Sequence, residues 1–334
     1  MAYVTGSAAS MSALLSALQG ACTANGWTLS GNVLHKGSCY ADLKLGQPGY
    51  SYGAPPVNGY LRLVAGNGID GSNNITDAAP GAVFLGPLRQ AAYDSVPLTW
   101  SFPIEYHIHV LASPDEVWLW VRYETDYWQY MAFGRSPAPG CGGSGNWSTA
   151  LIGSTLGRGD CYDNVCSGSG NGVSGVGYGS ISRLCSIPFW WNQNSYSSGN
   201  GFVHGVIDNS SGAARWNVPL FATDHGAAAW LTLYQLYNKC QSVWNDEAVL
   251  CPIQLAQQRP SNKISIIAEM QHARLTRNLY LQPGEIVALG LDKWKVYPTY
   301  RRNTDVTGDI APGGGVDGAS HSGTFAIAVR YDGP

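Results

Sequence analysis

Residues 105–133 constrain the fold more than any other part of the chain. Three strand-length segments, at 105–111, 117–124 and 128–133, follow one another with only Ser113-Pro114-Asp115 and Asp126 marking the turns between them. Short turns of Ser, Pro and Asp join antiparallel neighbours, whereas parallel strands need long crossovers. The spacing therefore predicts a three-stranded antiparallel meander. In its second strand Val117, Leu119 and Val121 alternate with Trp118, Trp120 and Arg122. Successive strand side chains point to opposite faces, and both sets are largely apolar, so both faces are expected to be covered. The aromatic face is expected to meet another subunit.

Other segments extend this β pattern. At the start, Ser10 reads as an N-cap before Met11, Leu14, Leu15, Leu18, Ala21 and Cys22, whose spacing makes one apolar stripe, and Asn25-Gly26 supplies the stop. An amphipathic helix packed on sheets follows from that stripe. Extended pieces are expected at 32–34, 40–45 and 60–64, and again at 249–255, 263–268, 286–289, 294–297 and 324–331. Residues 136–201 are rich in Gly, Ser, Asn and Cys, too long for an ordinary connection, and read as a surface elaboration. The expected division is a helix-plus-strand region at 1–100, the meander at 101–135, the elaboration at 136–201 and a C-terminal β region at 202–334. Residues 1–135 and 202–334 can also form one continuous domain. The fold class expected is α+β and β-dominated, with antiparallel, sandwich-like sheets.

Charge narrows the function. Charged residues make up 12% of the 334, against about a quarter in an average soluble domain, and 42 glycines occupy much of the remaining surface. A low-charge surface suits a chain whose faces are covered by other subunits. The net charge of −3 and the scattered basic residues form no stripe that would follow a phosphate backbone, so nucleic acid is not an expected partner. No apolar run reaches the roughly 18 residues of a membrane span, and MAYVTGSAAS lacks the basic start and apolar core of a signal peptide. Neither membrane insertion nor Sec export is expected.

Few residue patterns point to chemistry. His107 and His109, at i and i+2 on one strand, share a face as some zinc ligands do, but no Cys or carboxylate at fitting spacing completes a site, so packing or cross-strand pairing is the expected role. Cys141, Cys161, Cys166 and Cys185 lack paired C-x-x-C knuckles. Disulfides formed outside the cell, free buried thiols and a metal site all stay open for them, and Cys240 with Cys251 is a further possible pair. Gly49-Tyr50-Ser51-Tyr52-Gly53 matches the G-x-S-x-G pattern but falls in a Pro/Gly/Tyr loop with no strand-to-helix turn in its sequence context, so no nucleophile elbow is expected. Glu124, Asp126, Asp160 and Asp163 are available carboxylates, but sequence spacing reveals no pair at catalytic separation. No catalytic residue, resident metal or cofactor is expected. Trp190 and Trp191, followed by Asn192, Gln193 and Tyr196, combine stacking surfaces with amides, a pairing that suits either sugar rings or a subunit contact.

The C-terminal third carries an apolar strand, then Gly290, Asp292, Lys293, Trp294, Lys295, Val296, Tyr297 and Pro298, then Tyr300, Arg301, Arg302 and Asn303, and a closing His321-Ser322-Gly323-Thr324-Phe325 strand. This arrangement resembles a family of uncharacterised virion structural proteins of tailed bacteriophages and prophages. Ala214-Arg215-Trp216, Pro219-Leu220-Phe221, Phe133-Gly134, Asn25-Gly26-Trp27 and His35-Lys36-Gly37 are similar to that family too. The likeness lapses between residues 140 and 201. It implies a place in a virion, of tail-tip or baseplate type, and transfers no active site. In physical terms, Trp294, Tyr297 and Tyr300 supply large buried area, and Lys293, Arg301 and Arg302 can bridge to acidic neighbours, which suits a permanent interface. The expected partners are further copies of the chain in a ring or trimer, other tail proteins and a host surface receptor. Alternatives are a receptor-binding module for a host glycan, a head or neck component, and a surface-polysaccharide depolymerase.

Overall fold

A computed structural model describes residues 1–46, 59–79, 81–86, 100–123, 127–137, 142–151, 201–205, 216–217, 250–259, 263–276, 281–298, 300–301 and 326–333. In chain order the elements are β1 (Ala2–Ala8), α1 (Met11–Ala24), β2 (Thr28–Ser30), β3 (Val33–Lys36), β4 (Cys39–Gly46), β5 (Tyr60–Gly66), β6 (Gly68–Ile69), β7 (Ile75–Thr76) and β8 (Val83–Leu85). Then come β9 (Ile104–Leu111), β10 (Glu116–Tyr123), β11 (Tyr127–Arg135), β12 (Asn146–Leu151), β13 (Gly201–His204) and β14 (Trp216–Asn217). The C-terminal part holds β15 (Cys251–Arg259), β16 (Lys263–Thr276), β17 (Ile286–Leu289), β18 (Asp292–Pro298), β19 (Tyr300–Arg301) and β20 (Ala326–Arg330). The fold is β-dominated α+β, as expected.

Among the described residues three large antiparallel sheets lie in layers, and β6 and β7 form a separate two-stranded one. The central one runs β1-β9-β10-β11-β12-β13-β14, with β19 pairing onto the start of β11. On one face it meets α1 and the sheet β2-β3-β4-β5-β8. Val117, Leu119 and Val121 share that core with Met11, Leu14, Leu18, Leu43, Leu61 and Leu63. On the other face it meets the sheet β15-β16-β20-β18-β17, where Trp118, Trp120, Trp128, Tyr130 and Trp147 pack with Met270, Tyr297, Ile327 and Val329. Period-two alternation therefore divides β10 between two cores. The aromatic face expected to meet another subunit is covered by the chain's own C-terminal sheet.

The helix forms where its stripe and caps place it. Ser10 Oγ accepts from the Ala13 N–H at 3.1 Å, and Gly26, at φ +83°, takes the left-handed conformation that stops the helix. Met11, Leu14, Leu18, Ala21 and Cys22 are its buried residues.

Several strands depart from the sequence reading, among them the short β2, β6, β7, β8, β13, β14 and β19, and two matter most for the layers. β1 was not expected, because A-Y-V-T-G-S-A is short of large apolar residues. It pairs with β9 from Ala2↔Val110 to Ala8↔Ile104 and extends the central sheet. β12 lies inside 136–201, the stretch read as surface elaboration, yet Trp147 is fully buried and the strand sits between β11 and β13. The N-W-S-T-A-L segment is strand-like in itself and was hidden by the Gly and Ser around it. Residues 152–200 lie outside the described residues.

Candidate functional site

The seam between the central and C-terminal sheets gathers the chain's polar aromatic groups. His107 and His109 do share a face of β9, and that face is interior. Burial pushes the His107 imidazole down to about 4, against the opposing pull of Glu105, and pushes that of His109, which also lies beside His107, down to about 3. Both rings are therefore neutral at pH 7. The Tyr3 hydroxyl lies 2.6 Å from His107 Nδ1, while Glu105 Oε1 lies 3.0 Å from Nε2. Donation by Tyr3 leaves the ring proton on Nε2, facing the carboxylate. His109 Nε2 is hydrogen-bonded to the Tyr297 hydroxyl at 2.8 Å. Tyr297 also stacks on Trp120, ring centroids 4.8 Å apart and planes 11° apart. Lys295 Nζ lies 4.8 Å above the Tyr3 ring and 5.1 Å from that of Tyr331. Arg122 pairs with Glu105 at the outer end of the seam.

A second polar joint crosses the same interface. Glu116, fully buried at the start of β10, accepts from Trp118 Nε1 at 3.2 Å and from the Gln271 N–H of β16 at 2.7 Å. The His272 N–H lies 3.3 Å from Oε2. Burial outweighs these donors and raises the carboxyl to about 7. Gly134 is the cross-strand neighbour of Glu116, and a Cβ there would lie 2.7 Å from the Asp115 carbonyl oxygen and 2.9 Å from the Glu116 Cα. Only glycine permits that approach. These arrangements lock two layers together, since the groups are interior and bonded to one another. No group of three or more His, Cys, Asp or Glu able to hold a metal occurs among the described residues.

The surface of the C-terminal sheet is different. β17 is its edge strand, paired on one side with β18 from Ile286↔Lys295 to Leu289↔Asp292 and unpaired on the other among the described residues. Ile286, Leu289 and Leu291 are exposed, and Leu291, at the hairpin tip beside Gly290, is completely so. Exposed apolar side chains beside an open row of backbone donors and acceptors make a template for another strand.

The structure distributes the sequence candidates unevenly. Trp294 and Tyr297 are buried on opposite faces of β18, Trp294 with Val296, Ala326 and Ala328 and Tyr297 in the seam. Tyr300 and Arg301 form β19, which holds the first residues of β11. Arg302, Trp190, Trp191, Asn192, Gln193 and Tyr196 lie outside the described residues, as do Cys141, Cys161, Cys166, Cys185 and Cys240. Cys251 opens β15, opposite Leu275. Tyr3 and Glu116 were missed. Tyr3 alternates correctly in Ala-Tyr-Val-Thr, and Glu116 is a lone carboxylate at the head of an apolar strand, so faint signals existed for both.

Neither comparison with protein-family models nor comparison with curated proteins yields a match for this chain. Among the described residues no helix is long and apolar enough to cross a membrane.

Proposed function

We propose that the chain is a structural component of a bacteriophage virion, a tail-tip or baseplate protein that assembles as a symmetric oligomer in the tail. The observation that carries this reading is the β17–β18 hairpin, whose outer edge is open and lined by exposed Ile286 and Leu289, with Leu291 at its tip. Soluble monomers usually blunt such an edge with charge, Pro or a bulge. Gly290, Asp292, Lys293 and Trp294, part of the run that resembles phage virion proteins, build this same hairpin. The aromatic seam packs the C-terminal sheet against the central one, and the hairpin lies at the outer edge of that sheet, where a neighbouring copy could pair.

Two measurements test this. Light scattering after gel filtration should give a discrete oligomer for the wild-type chain, and the double variant Leu289→Lys, Leu291→Lys should shift it to monomer with its unfolding midpoint retained. Labelling of intact particles should place the chain at the tail. A wild-type monomer at tens of micromolar, or absence of the chain from purified particles, refutes the reading.

A further inference from the structure

The outward face of the sheet β2-β3-β4-β5-β8 carries a feature that assembly does not use. A cleft of about 370 Å³ opens there, lined by Asp42 and Lys44 of β4, Arg62 of β5, Asn32 before β3, and Asn73 and Asn74 of the turn between β6 and β7, over a floor of Val64 and Ile75. The β4–β5 register sets Lys44 directly opposite Arg62. Like charges facing each other across a ladder are destabilising, so the pairing favours a compensating anion beside it.

Asp42 supplies only half of it. Lys44 Nζ lies 2.7 Å from Asp42 Oδ2, and Arg62 Nη1 lies 3.4 Å from the same oxygen. Two cations on one carboxylate leave a positive charge in excess. They also leave Asp42 Oδ1 and most of the five Arg62 donors without partners among the described residues. The carboxylate of Asp70, in the β6–β7 turn that carries Asn73 and Asn74, is engaged in its own turn by the Ser72 and Asn74 N–H groups at 2.9 and 2.8 Å and by Asn74 Nδ2 at 3.0 Å. That turn holds Asn73 at φ +61° and fixes the amide rim. Phe84, cross-strand neighbour of Arg62, flanks the site and packs edge-on against Tyr60.

We propose that this cleft binds one acidic sugar unit, a uronic- or sialic-acid type residue. Its carboxylate would lie on the Arg62 donors that Asp42 leaves unused, on the side away from Asp42 Oδ2, where charge-assisted and bidentate hydrogen bonds are strongest. Its hydroxyls would meet Asp42 Oδ1 and the amides of Asn32 and Asn73, and its C–H face would lie on Val64 and Ile75. The volume is at the small end of the roughly 300–1,000 Å³ of ligand pockets, which suits a single ring. This inference does not rest on the virion reading, because binding here is measurable on the isolated chain whatever its oligomeric state.

Calorimetric and saturation-transfer NMR titrations with glucuronate, N-acetylneuraminate, glucose and inorganic phosphate test the proposal. At least one sugar acid should bind the wild-type chain, with glucose at least tenfold weaker. Arg62→Gln and Lys44→Gln should each lower sugar-acid affinity at least tenfold with the fold intact by circular dichroism. Asn73→Gly keeps the left-handed backbone and removes the amide, so it should weaken the sugar acid and leave phosphate unchanged. Phosphate binding as tightly as either sugar acid, with Asn73→Gly silent, makes the cleft a plain anion site and overturns the proposal. So does failure of both sugar acids to bind at millimolar concentration, or binding that survives both charge variants.

Discussion

Replacing Glu116 by Gln should change how stability responds to pH across the joint between the central and C-terminal sheets. The carboxyl is fully buried, and burial raises it from 4.5 to about 7 despite the N–H donors of Trp118, Gln271 and His272 and the nearby Arg274 guanidinium. A folded-state value above the unfolded one means that the native protein holds this proton more tightly. The stabilisation is therefore complete below about pH 4.5 and is lost as pH rises through about 7. At about 1.4 kcal/mol for each tenfold difference in affinity, the loss is about 3 kcal/mol. Gln keeps an acceptor for the Gln271 N–H but turns an NH₂ group toward the donors on the other oxygen, a pH-independent cost of about 1 kcal/mol. Urea unfolding should then show the wild type ahead by about 1 kcal/mol at about pH 4, and the variant ahead by about 2 kcal/mol at about pH 8.5. The histidines titrate alike in both proteins and cancel in the difference. A wild-type-minus-variant difference that stays constant across this range would refute the assignment of Glu116 as a proton-holding group.

Tyr297→Phe removes the hydroxyl bonded to His109 Nε2 and leaves that nitrogen buried without this partner. It should cost about 1–3 kcal/mol by urea midpoint, with the Trp120 stacking retained; a loss under about 0.5 kcal/mol would show that the bond contributes nothing. On the acid side, His107 and His109 stay neutral in the fold down to about 4 and about 3, while the unfolded chain protonates them near the ordinary 6.5. Both contributions to stability are therefore lost as pH falls from 6.5 through those values. His109→Gln should flatten this acid limb in a pH series of thermal melts, and an unchanged slope would sink the argument.

Local pattern carried much of the architecture. The Ser10 cap, the apolar stripe and Gly26 sufficed for α1, because a helix is closed by bonds and caps within a few residues of each other. The alternation in β10 sufficed to show that both of its faces are buried, since side-chain direction on a strand follows from position alone. His107 and His109 likewise had to share a face. β1 could not be read this way, because what makes it a strand is the backbone of β9 beside it, and the strand-like residues of β12 are set among Gly and Ser that read as loop.

What covers each face was beyond the reach of the sequence. That Trp118 and Trp120 meet Tyr297 and Val329 of the same chain, rather than a second subunit, depends on bringing together segments more than 170 residues apart, and no local periodicity encodes such a pairing. The same holds for the Glu116 carboxyl, whose proton affinity comes from the depth at which β16 buries it, and for Lys44 and Arg62, whose opposition exists only in the register of β4 on β5. Residue type and spacing determined which way side chains point. Only the stacking of the sheets decided whether water, an aromatic ring or another charge waits where they point, because burial and electrostatic coupling are properties of neighbours in space.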